Sequence, residues 1–96
     1  MSVPPFDPSL STADGNFTIG VCDDEEKTIY VANNLSKFLL KKVLCHELVH
    51  AAMFSYNIDL TIEEEELIAD LIATHGNEII QNTEQIFKKI KGAYFK

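Results

Sequence analysis

Hydrophobic positions along this 96-residue chain change period twice, and each change marks a predicted element. Two short runs rich in β-branched and aromatic residues, Phe17–Cys22 and Thr28–Ala32, flank the charged segment Asp23–Lys27, which predicts an antiparallel β-hairpin. Beyond Asn33-Asn34 the spacing turns helical. Leu35, Phe38, Leu39, Val43, Leu44, Leu48 and Val49 predict one long helix from about Ser36 to Phe54. Asn57–Leu60 reads as a connector, and a second helix is expected from Thr61 to about Thr74, broken near Gly76. A third amphipathic segment, Glu78–Lys91, carries Ile79, Ile80, Ile86, Phe87 and Ile90. The first sixteen residues hold all three prolines and an Asp14-Gly15 turn, and they read as an irregular lead-in or a clamp against the body of the domain. The expected architecture is α+β, a small antiparallel hairpin sheet packed with three helices in one domain spanning residues 1–96.

Composition narrows the functional classes. Apolar content of 46% with 24% charged residues is that of a globular chain rather than a disordered one. Eight basic against fifteen acidic residues give a formal charge of -7, which argues against a nucleic-acid backbone or an anionic membrane as partner. The lysines at Lys37–Lys42 and at Lys88, Lys89, Lys91 and Lys96 read as solvated helix faces. No apolar run approaches the ~18 residues that would span a bilayer, and the start MSVPPFDPSL lacks the basic and apolar regions of a secretory signal. The expected location is cytoplasmic, with Cys22 and Cys45 as reduced thiols behaving as small apolar residues.

The candidate chemistry lies in the first long helix, in the stretch CHELVH. His46 and His50 are one turn apart on one face, so both imidazoles can reach a single ion, with Zn2+ the natural choice. Glu47 beside them can take a proton from metal-activated water without being a ligand, the H-E-x-x-H arrangement of zinc-dependent peptidases. Such a match arises by chance in roughly one chain of this length in several hundred. Its setting raises its weight, because the helix is predicted and the flanking residues Val43, Leu44, Leu48, Val49 and Ala51–Met53 are apolar. Polar groups in a buried setting are costly to leave unpaired.

A catalytic zinc takes three protein ligands and keeps one position for water. The third ligand must come from elsewhere, and the stretch TIEEEELIAD offers four glutamates. Thr61 and Glu64 form a capping box, and Glu63 suits the positive end of the helix dipole. On the helical projection Glu65 falls within the apolar face with Ile62, Ile68, Ala69 and Ile72. Glu66 falls at its edge with Ile62, Ala69, Asp70 and Ala73. Periodicity leaves Glu65 and Glu66 level as the third ligand.

The segments LCHELVHAAM and EEELIADLIA together resemble the small HExxH metallopeptidases of bacteria, phages and mobile elements, the ImmA/IrrE-like group, over about residues 28–79. The resemblance implies a minimal zincin-like core. In the broader glutamate-type zincins the ligand glutamate stands four residues before an aspartate, which implies Glu66 as third ligand and Asp70 as the acceptor that orients the first histidine. It also implies a protein or peptide substrate, a repressor of the same element being one example. Tyr30, Tyr56 and His75 are the remaining candidates for an oxyanion donor, with nothing in the spacing to fix them near the metal. The rival reading is a catalytically silent zinc-binding module that docks a protein partner. Glu47 speaks against it, since a structural site has no use for that carboxylate. The sequence leaves the oligomeric state open.

Overall fold

A computed structural model describes the backbone of residues 1–94 and the side-chain surroundings of residues 1–92. Lys96, read above as part of a solvated face, lies outside the described residues. The strands are β1 (Ser2–Val3), β2 (Gly20–Asp23) and β3 (Thr28–Ala32). They are followed by α1 (Lys37–Ser55) and α2 (Ile62–Tyr94). The class is α+β, but the arrangement corrects the expectation in two respects.

The sheet is three-stranded and mixed, in the order β1-β3-β2. β2 and β3 form an antiparallel hairpin with Val21 opposite Tyr30, whereas β1 runs parallel to β3 with Ser2 opposite Val31. The expected irregular lead-in therefore supplies a strand. It also supplies a 3-10 turn at Pro8–Leu10, capped by Asp7, whose carboxylate accepts from the Ser9 amide and hydroxyl. Those two hydrogen bonds hold the Asp7 carboxyl below its ordinary value. Val3 and Leu10 join Ala32 in a small core, with Val21, Tyr30 and Leu35 packed around it. The lead-in thus contributes to the sheet's packing as well as its edge.

The second correction concerns the helices, of which there are two among the described residues. α2 passes through Gly76 without a break and joins the two helical segments that were expected to be separate. A single glycine at a right-handed helical position costs only about 1 kcal/mol relative to alanine. No proline stands near it, so both flanking segments outweigh that cost.

Local signals set the helix starts. Ser36 caps α1, its hydroxyl accepting from the Leu39 amide at 3.2 Å. Thr61 and Glu64 cap α2 reciprocally: the Glu64 amide donates to Thr61 Oγ1 at 3.1 Å and the Thr61 amide donates to Glu64 Oε1 at 3.0 Å. These bonds hold the Glu64 carboxyl below its ordinary value. One face of α1 meets β2 and β3, and α2 packs on α1 alone among these elements. Ala69 is wholly buried on the part of α2 that packs on α1. A small residue there lets two helix backbones approach.

Gly20 does the same between α1 and the sheet. A Cβ at that position would lie 2.5 Å from Val43 Cγ1 and 3.3 Å from Glu47 Cγ, so α1 sits where only glycine fits opposite. No helix among the described residues is long and apolar enough to cross a membrane.

Candidate metal centre

α1 carries His46, Glu47 and His50 toward the groove between β2 and the first turns of α2. The setting is less enclosed than the apolar sequence around the motif implied. Glu47 is buried, with 8% of its surface accessible, but both histidines are only half-buried and Leu44 and Leu48 face outward. A helix apolar on every side cannot hide all its faces against one small sheet and one helix.

The two imidazoles face each other, with His46 Nε2 and His50 Nε2 3.1 Å apart. Glu66 of α2 reaches both from across the groove, placing one carboxylate oxygen 3.2 Å from His46 Nε2 and the other 2.9 Å from His50 Nε2. Behind the rings stand two further acids. Asp70 Oδ1 lies 3.0 Å from His46 Nδ1, and Glu65 Oε1 lies 2.7 Å from His50 Nδ1. Glu47 lies on the other side, its carboxylate within 4.8 Å of the ligand atoms of both histidines, and the group His46, Glu47 and His50 is able to hold a metal ion.

Proton accounting explains why a cation suits this site. A neutral imidazole has one N–H, and a carboxylate at each Nδ1 draws that proton to the rear of each ring. Both Nε2 atoms then present bare lone pairs to one another and to the Glu66 carboxylate, so four electron-rich atoms converge with no hydrogen between them. Either an imidazole gains a second proton or a cation stands at the centre. Separations of 2.9–3.2 Å suit a shared proton, and they also lie close to the roughly 3.3 Å between ligands of a tetrahedral ion with bonds of about 2.0–2.1 Å.

The structure thus gives both contested glutamates a position. Glu66 converges with both Nε2 atoms, while Glu65 is the acceptor behind His50, a place the sequence reading did not consider for it. A usable signal existed: antiparallel helices pair residues in reversed order. If Asp70 stands opposite His46, the residue opposite His50 must come about four earlier on α2, which is Glu66 with Glu65 beside it.

Glu47 has a pKa raised above the ordinary carboxylate value, chiefly by burial, with the Glu66 charge adding to the rise and His50 and His46 opposing it. The site opens into a cavity of about 490 Å³ whose walls include Thr12, Thr18, Gly20, Cys22, Phe54 and Ile62. Burial pushes the Cys22 thiol up, and the nearby Glu47 charge adds to it, so Cys22 stays protonated at the cavity wall. Cys45 is likewise a free, half-buried thiol. None of the three candidate oxyanion donors lines the cavity. Tyr30 donates its hydroxyl to Glu26, Tyr56 is exposed, and His75 stands 3.9 Å from Glu78 farther along α2.

In comparisons with known proteins, no family model, no curated protein and no solved structure matches this chain.

Proposed function

We propose that this chain is a zinc-dependent peptidase of minimal zincin-like form, with His46, His50 and Glu66 as metal ligands and Glu47 as general base. The observation that carries the reading is the convergence of the two Nε2 atoms and the Glu66 carboxylate within 2.9–3.2 Å, with a carboxylate behind each ring. Two imidazoles and a carboxylate are a donor set suited to zinc, and three protein ligands leave a position open. When bound, the ion supplies Lewis acidity toward a carbonyl and acidifies water.

The chain's own residues supply the rest. Asp70 and Glu65 fix the ring orientations and keep both Nε2 lone pairs free for the ion. Glu47 takes a proton as water adds to the carbonyl carbon, and returns it to the departing amine nitrogen as the C–N bond breaks. A carboxyl with its pKa raised by burial is suited to that exchange, because both of its protonation states become accessible closer to neutral pH.

An extended peptide is the substrate class that the cavity wall favours. β2 pairs with β3 alone, and the Ala32 amide donates to Ile19 O at 3.0 Å just before Gly20. The alternation of an antiparallel ladder then turns the backbone groups of Gly20 and Cys22 to the unpaired side. Both residues line the cavity, so a peptide strand laid along them would gain main-chain hydrogen bonds beside Glu47.

Elemental analysis of protein purified without chelator is the first test, with about one zinc per chain expected. Glu47→Gln should retain that zinc and lose cleavage of an unfolded protein substrate. Zinc in both forms with no turnover across a broad substrate screen would leave a metal-binding interaction module instead. Absence of zinc affinity, with folding unchanged in His46→Ala, would remove both readings.

A further inference from the structure

The C-terminal part of α2 has no counterpart to pack on. α1 has 19 residues and α2 has 33, so at 1.5 Å per residue α2 outruns its only neighbour by about 20 Å. From residue 77 to residue 92 every side chain is exposed. Five large apolar residues recur there on one face, with accessible fractions running from 45% at Ile90 to 64% at Ile80. An isolated helical extension of this length is marginal in water without a covered face.

Two whole-molecule quantities say how much cover is missing. The accessible surface is 7498 Å² for a mass of 10.8 kDa, whereas a compact monomer of that mass exposes about 5,500 Å². The radius of gyration is 16.9 Å, against about 12.5 Å for a compact domain of this length. The excess of about 2,000 Å² exceeds the ~800 Å² per partner that a standard interface buries.

We propose that a second copy of the chain covers this face, the two α2 ends pairing antiparallel about a twofold axis at Thr83. The pattern is self-complementary in that arrangement. With Thr83 on the axis, Ile80 meets Phe87 of the second copy, Ile79 meets its Ile86, and Ile90 falls opposite its Gly76. Gly76 then has a use in the middle of a helix, as the hole that receives a large side chain. Charge points the same way. A parallel pair would set Lys88, Lys89 and Lys91 of both copies side by side, while the antiparallel pair separates the two clusters and brings each to the level of the other's Glu78.

The test is the solution mass of the full chain by sedimentation velocity, with zinc content measured on the same samples. The wild-type protein should sediment with the mass of two chains, and an Ile80→Glu/Phe87→Glu variant should weaken association by about a hundredfold or more. That variant should keep its metal content, since both positions lie well outside the site, and should lose helical circular dichroism as the uncovered extension frays. Under mild oxidation, Thr83→Cys should form a disulfide between two chains, because position 83 faces its own copy. A wild-type chain that stays monomeric up to millimolar concentration overturns the proposal. So does a dimer that survives Ile80→Glu/Phe87→Glu, and so does a Thr83→Cys protein that does not cross-link as a dimer.

Discussion

The two ends of α2 belong to one unbroken helix and share an amphipathic pattern, yet they meet different fates. From Ile62 to Ala73 the helix lies on α1, buries Ala69 completely and sets three carboxylates within 2.7–3.2 Å of two imidazoles. From residue 77 to residue 92 every residue is exposed, its isoleucines included. Periodicity fixes which face of a helix wants cover, but only a neighbouring element decides whether that face becomes a site, a core or an interface.

Breaking the front end should have the largest effect. His46→Ala or Glu66→Ala removes one of the three proposed ligands, and zinc affinity in a competition titration with a chromophoric chelator should fall on the order of a thousandfold. Phe87→Glu, at the rear, should leave the same titration unchanged. A large loss from the rear variant would show that the two ends are not separate.

Next in size are the acids behind the rings. Asp70→Asn and Glu65→Gln should each lower metal affinity by about 10–100-fold without abolishing it. If Glu65 were instead a ligand, Glu65→Gln would match Glu66→Ala in severity, and the roles given to the two glutamates would be reversed.

Glu47 gives a smaller effect with a defined sign in metal-free protein. Its folded-state pKa is raised, so its contribution to stability is greatest at low pH and is lost as pH rises through the folded value. Glu47→Gln removes the charged form, so urea denaturation without metal should find it more stable than wild type at pH 7. The difference should close as pH drops below the ordinary carboxylate range. A destabilised Glu47→Gln at pH 7 would mean that the ionised carboxylate is well paired where it lies.

The smallest predicted change sits at the junction of the two ends. A Cβ at Gly76 would come 3.1 Å from Ile72 Cγ2, a contact that a slight turn of Ile72 relieves. In an Ile80→Glu/Phe87→Glu background, Gly76→Ala should therefore stabilise the helix by somewhat less than about 1 kcal/mol. In the otherwise wild-type chain the same methyl group would occupy the space taken by Ile90 of the second copy and weaken association. Equal effects in the two backgrounds would remove Gly76 from the interface.

Much of this molecule was legible from the chain, and the failures have particular causes. The hairpin, the Ser36 start of α1 and the Thr61/Glu64 cap are local events, written in residues a few positions apart. β1 is a two-residue strand whose partner lies 29 positions away, too short to carry a period and too distant to be inferred from its neighbours. Gly76 was read as punctuation because a glycine near a change of pattern often is, but its modest helical cost was outweighed on both sides. Periodicity alone left Glu65 and Glu66 level for another reason. The choice was framed as one ligand and one bystander, whereas each imidazole has two nitrogens and the site uses an acid at each.

Among the helices and strands described, α2 packs on α1 alone, and the clustered acids and histidines span that contact. Within its own chain the helix is a lever about 50 Å long resting on α1, and the candidate metal centre is the pin through it. Protons or chelators that strip the pin would loosen the whole arm rather than a local loop. Limited proteolysis of α2 would then report site occupancy from many residues away.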